Sequence, residues 1–138
     1  MNWKLIFLLS LFGLAMGFAT VFVIPTRIEP AFWLAIFLIS AYAIAKQTAA
    51  WHFLHGLLLG LLNSVWITSA HLLFFDRYII GHAHESALLD SMTWPDSLQG
   101  AMAVMGVVIG VVSGVVLGLF ALAAGKLVKG PGLRKTRA

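Results

Sequence analysis

The chain contains no cysteine and few charged residues. None of its 138 residues is cysteine, and Asp, Glu, Lys and Arg together make up only 10%. Disulfides, iron–sulfur clusters and thiolate-bound metal sites are therefore excluded. A soluble domain carries about a quarter charged residues. Hydrophobic residues make up 61% of this chain, and a soluble domain of this size could not bury that much apolar surface. The composition predicts an integral membrane protein.

Charge is also missing from the interior of the long apolar segments. All five acidic residues lie between these segments or at their ends, and no arginine lies inside one. Carriers coupled to protons or sodium ions usually place an ionisable group near the middle of the bilayer. The sequence also lacks a phosphate loop, a nucleophile elbow and a zinc-protease helix motif. We therefore predict no enzymatic activity and no cofactor.

Four apolar segments are long enough to cross a bilayer, which takes about 20 residues in a helix. They predict one all-α integral membrane domain at residues 1–126, an up-and-down bundle of four transmembrane helices. An external loop is predicted at 77–94 and a basic cytoplasmic tail at 127–138. The four helices are expected at about residues 3–24, 31–46, 50–76 and 95–125. The second is expected to follow Pro30, and the fourth to begin near Thr93, because a capping hydroxyl there precedes Pro95 and an acid.

The basic residues predict the orientation of the bundle. Lys4, Lys46 and the tail fall on one side, whereas Arg27 and Arg77 fall on the other with every acid. The positive-inside rule then places both termini in the cytoplasm of a bacterial inner membrane. Each tail base near an anionic surface contributes about 1 kcal/mol, so anionic lipid is the expected partner of the tail and nucleic acid is not. The bases at this C-terminal end are Lys126, just before the tail, and Lys129, Arg134, Lys135 and Arg137 within it.

The N-terminal segment has an alternative interpretation. Lys4, the apolar run after it and the small residues around Ala15 and Gly17 resemble a cleavable signal peptide. The apolar run is longer than a usual signal core, so we favour a retained helix.

Glycines recur at a spacing of four residues in three of the predicted helices. Residues four apart share one helix face, and a glycine face lets another backbone approach closely in the membrane. Such a glycine zipper indicates tight helix packing, either in a hairpin of the third and fourth helices within one chain or in a homo-oligomer through the fourth. We favour the hairpin. The glycines are Gly13, Gly17, Gly56, Gly60, Gly106, Gly110, Gly114 and Gly118.

A polar stripe follows one face of the third predicted helix. Asn63 lies near the helix midpoint, so its amide is expected to face protein or water rather than lipid. The stripe is interpreted either as interhelical hydrogen bonding, which we favour, or as the lining of a permeation path in an oligomer. Its members are His52, Asn63, Ser64, Thr68 and His71.

A cluster of histidines and acids is predicted at the external face. If the loop is extended, His82 and His84 point to one side, and with a carboxylate they could hold Zn²⁺, Cu²⁺ or Ni²⁺. The spacing matches no diagnostic metal motif. The candidate ligands are His71, Asp76, His82, His84 and Glu85.

Three functions remain open from these patterns. We favour a non-enzymatic, structural protein or one accessory to a partner membrane protein, because packing signals are strong and catalytic motifs are missing. The first alternative is a small oligomeric channel or transporter that uses the polar stripe. The second is a metal-binding membrane protein that uses the external histidines.

Overall fold

The computed structural model of the protein describes residues 1–128, which form six helices and no strand. Four of the helices, α1, α2, α3 and α6, are long and apolar enough to cross a membrane. Of the predicted basic tail, residues 129–138 lie outside the described residues. The helices are α1 Trp3–Phe22, α2 Glu29–Gln47, α3 His52–Leu73, α4 Phe75–Gly81, α5 Ala83–Asp90 and α6 Leu98–Leu127.

Helices α3 and α6 form an antiparallel pair at the centre of the bundle. Helix α1 packs on α3, and α2 packs on α6. We call the end that holds the start of α1 and the end of α6 the termini end, and the end that holds α4 and α5 the loop end. All four long helices meet in a buried apolar core toward the termini end, which fixes their relative positions there. This core consists of Leu5, Ile6, Leu9, Ala41, Ile44, Leu59, Leu117 and Ala121.

Helix α2 begins at Glu29, earlier than the expected start after Pro30, so that this proline lies in its first turn. A proline is tolerated there because the first backbone N–H groups of a helix have no partner within it. Trp33 adds a bond one turn later, since its Nε1 donates to Glu29 Oε1 at 3.0 Å.

The third predicted helix is divided in two. Helix α3 ends at Leu73, and α4 follows from Phe75. The residue between them, Phe74, leaves the helical conformation at φ −114° and ψ 39° while its N–H still bonds Ala70 O. The sequence has no glycine or proline at this break, so no local signal marks it. Five of the seven residues of α4 and the whole of α5 lie in the segment predicted as the external loop, 77–94.

Helix α6 begins at Leu98 rather than near Thr93. Its cap is Ser97, whose Oγ accepts a hydrogen bond from the Gly100 N–H at 3.1 Å. Helix α5 rests against this first part of α6 in a second apolar cluster built on three buried residues, Leu89, Ala101 and Met102.

Candidate functional site

The glycine faces of α3 and α6 lie against each other within one chain. An ideal Cβ at Gly56 would lie 2.7 Å from Gly118 Cα, and one at Gly60 would collide with the backbone of Gly114. At Gly114 itself, a Cβ would lie 2.8 Å from Leu57 O. Real Cβ atoms essentially never come within 3.0 Å of another heavy atom, so these positions admit only glycine without a shift of the backbone. Within one chain, α3 and α6 therefore pack as a hairpin through these glycine faces.

The same face of α6 continues toward the loop end against two hydroxyl side chains of α3. Gly110 faces Ser64, with an ideal Cβ 2.7 Å from Ser64 Cβ, and Gly106 faces Thr68. Ser64 Oγ donates a hydrogen bond to Gly106 O. The Gly106 carbonyl thus accepts a hydrogen bond from α3. This bond joins the two helices although α6 contributes no polar side chain to it.

Helix α1 packs on α3 through its own pair of glycines. Gly17 lies against Ile67 and Ala70, and an ideal Cβ at Gly13 would lie 2.6 Å from Asn63 Oδ1. Asn63 is only 3% exposed, and neither Oδ1 nor Nδ2 has a hydrogen-bond partner within residues 1–128. Asn63 therefore faces protein, but its amide is desolvated and unpaired.

Hydrogen bonds join α1 to α3 along its whole length. Near the termini end, the Asn2 backbone N–H donates to His55 Nε2 at 2.9 Å. Farther along, Trp66 Nε1 donates to Ser10 Oγ at 3.2 Å.

Near the loop end, Thr20 Oγ1 lies 2.9 Å from His71 Nε2. The sequence does not predict the Trp66–Ser10 bond, since its only signal is that a half-buried indole N–H needs an acceptor. These bonds tie α1 to α3 at both ends and near its middle.

The predicted polar stripe of α3 therefore does not converge on one space. Asn63 and His71 contact α1, whereas Ser64, Thr68 and His52 contact α6, the last with its ring over Gly125. None of the five lines either of two surface cavities. One cavity, of about 510 Å³, lies beside α1 and Trp66, and the other, of about 420 Å³, lies at the loop end.

Three aromatic rings are stacked at the loop end. The Tyr78 ring lies between the imidazoles of His71 and His82, with centroid distances of 4.0 and 4.2 Å and interplanar angles of 24° and 11°. Burial raises the pKa of Tyr78, and the nearby carboxylates of Glu85 and Glu29 raise it further. The phenol therefore stays neutral at physiological pH, and it separates the two imidazoles.

The external residues proposed as metal ligands are not brought together. The expectation of an extended segment is corrected, because His84 lies in the first turn of α5 and is exposed, whereas His82 precedes that helix and is buried. No group of three or more His, Asp or Glu side chains within residues 1–128 is placed to hold a metal ion. The geometry gives the hypothesis of a metal site no support at His71, Asp76, His82, His84 and Glu85.

The comparisons with known proteins add no assignment. The chain matches no protein-family model, no curated protein and no solved structure.

Proposed function

We propose that the protein crosses a bacterial inner membrane four times with both termini in the cytoplasm. Lys4, Lys46 and Lys126 lie toward the termini end of the bundle, whereas Arg27 and Arg77 lie toward the loop end. Large apolar side chains are exposed on the outer faces of the long helices, as contact with lipid requires. In α6 these exposed side chains include six valines that lie between the glycines along the sequence. The charge asymmetry supports a cytoplasmic termini end.

The absence of cysteine makes this orientation directly testable. His84 and Lys126 are exposed and lie at opposite ends of the bundle. In intact spheroplasts, a membrane-impermeant maleimide is expected to label the His84→Cys variant and to leave Lys126→Cys unlabelled until the membrane is permeabilised. Labelling of Lys126→Cys alone in intact cells would invert the topology, and labelling of neither variant after permeabilisation with detergent would contradict the exposure of both sites.

Within the membrane, we propose a non-enzymatic role, structural or accessory to a partner membrane protein. The observation that carries this proposal is the distribution of the polar stripe. Ser64 and Thr68 meet the backbone of α6, His71 meets Thr20, and Asn63 packs on Gly13. Side chains that would line a permeation path are instead used between helices of the same chain. Such contacts build a rigid scaffold, and interhelical bonds of this kind are worth about 0.6 kcal/mol each.

A flux assay separates this role from the channel or transporter alternative. Liposomes that contain the purified protein are expected to release entrapped potassium ions and small neutral solutes no faster than protein-free liposomes, because no side chain of the stripe faces a described cavity. A selective flux above this background would contradict the scaffold role.

A further inference from the structure

The cavity of about 420 Å³ at the loop end has a strongly uneven lining. One wall is the end of α1 and the turn after it, and the other is α4 with the residue that follows it. Most of the lining is apolar, and Arg77 is its only charged residue. The lining consists of residues 20–25, Arg77, Ile80, Gly81 and His82.

His82, which lines this cavity, carries a buried acceptor without a partner among the described residues. The side chain is 5% exposed, and its Nδ1 lies 3.0 Å from Tyr78 O. A carbonyl oxygen only accepts hydrogen bonds, so Nδ1 carries the proton and, in the neutral ring, Nε2 holds a free lone pair. This buried Nε2 has no partner within residues 1–128. An unpaired buried acceptor is unfavourable, so a donor supplied by a ligand would stabilise the site.

The charges around the cavity are polarised. Arg77 lies on its α4 wall. The carboxylates of Glu29 and Glu85 do not line the cavity but act on Tyr78, the middle ring of the stack, whose pKa both raise. Tyr78 is stacked on His82 at 4.2 Å. An anionic group is therefore favoured beside Arg77, and a cationic hydrogen-bond donor is favoured beside His82.

We propose that this cavity binds a phospholipid of the outer leaflet whose headgroup carries a primary amine, as phosphatidylethanolamine does. The phosphate pairs with the Arg77 guanidinium, and an ammonium N–H donates to His82 Nε2. An acyl chain lies along the apolar wall formed by Val21, Val23 and Ile80. The assignment rests on the proposed insertion of the bundle in a membrane.

Two related headgroups distinguish the chemistry of the site. Phosphatidylcholine has the same charges and nearly the same size but no N–H donor, so it cannot bond His82. Phosphatidylglycerol offers hydroxyl donors but no positive charge for the carboxylates. The ethanolamine lipid is the one that satisfies Arg77, His82 and the acids together.

The test is native mass spectrometry of the full chain in detergent with equimolar ethanolamine, choline and glycerol phospholipids that carry identical acyl chains. The wild type is expected to retain the ethanolamine lipid about tenfold better than the choline lipid, which is the effect of one charge-assisted hydrogen bond. His82→Phe keeps a ring on Tyr78 and is expected to lose this preference. Arg77→Gln is expected to weaken retention of all three lipids. Arg27→Gln is the matched control, because Arg27 is exposed at the same end but does not line the cavity.

Equal retention of the ethanolamine and choline lipids by the wild type would overturn the proposal, as would equal losses in Arg77→Gln and Arg27→Gln. Tighter retention of the glycerol lipid would contradict the assignment of an amine headgroup. Displacement of the lipid by equimolar soluble phosphoethanolamine would show that the site binds a free headgroup and not a lipid. Incorporation of the chain into lipid nanodiscs is measured in parallel. A chain that enters the bilayer without lipid preference contradicts only this site, whereas a chain that does not enter contradicts the proposed function.

Discussion

Replacing Gly60 by alanine is expected to lower the free energy of unfolding by about 2–3 kcal/mol, the upper range for overpacking a well-packed interior. The added Cβ meets the backbone of Gly114, which cannot rotate aside as a flexible side chain would. Alanine favours a helix over glycine by up to about 1 kcal/mol, so any loss reflects the steric conflict rather than helix propensity. Unfolding is followed by circular dichroism in mixed micelles with increasing SDS.

Gly81→Ala is the matched control. It makes the same substitution at the last residue of α4, where an added Cβ meets no atom within 4 Å. Its effect is expected to stay within about 0.5 kcal/mol of the wild type, as for other open surface positions. Similar losses in Gly60→Ala and Gly81→Ala would show that close backbone contact between α3 and α6 does not hold the bundle together.

Asn63→Leu is expected to leave the protein as stable as the wild type or to stabilise it by up to about 2 kcal/mol. The amide is buried opposite Gly13, and both its polar atoms lack a partner within residues 1–128. Removing an unpaired buried polar group recovers its desolvation cost of about 1–3 kcal/mol, less the cost of fitting two methyl groups against α1. Asn63→Asp has nearly the same shape but introduces a carboxyl at the same site. It is expected to destabilise by several kcal/mol if it ionises, or to force the carboxyl to stay protonated.

The SDS unfolding assay measures both variants, and the liposome flux assay is run on the same samples. A clear loss of stability in Asn63→Leu would mean that the amide has a partner in the membrane, either another chain or water. If that loss came with the disappearance of a measured flux, the scaffold role would give way to the transport alternative.

The long helices and the glycine contacts are the features that the sequence predicts best. Hydropathy alone locates helices that span Trp3–Phe22 and Leu98–Leu127 to within a few residues of the expected bounds, because lipid imposes both a length and a composition. The spacing of four also places Gly60 and Gly114 on faces that meet. Both signals are periodic and local, so one sequence is enough to read them.

Features that depend on tertiary contacts could not be predicted in this way. The break at Phe74 has no glycine or proline, and it coincides with the stack of Tyr78 on His71. In His82, the bond from one ring nitrogen to a carbonyl one turn earlier fixes the other nitrogen as an acceptor in the neutral ring, and the surrounding packing leaves that acceptor without a partner among the described residues. The sequence predicts that Asn63 faces protein. It does not predict that the facing residue of α1 is Gly13, which has no side chain to pair with the amide.

One cross-linking measurement tests most directly whether the glycine face of α6 is covered by α3 of the same chain. Ser64 Cβ lies 2.7 Å from an ideal Cβ at Gly110, and a shift of about 1 Å brings the two to disulfide distance. The chain has no other cysteine, so a disulfide within one chain of the Ser64→Cys, Gly110→Cys double variant can join only these two positions. After oxidation in the membrane, the account predicts a monomer near 15.0 kDa in which both cysteines are joined in a disulfide and no longer react with a maleimide. A covalent dimer, formed also when the two single-cysteine chains are mixed, would contradict it and place this interface between copies.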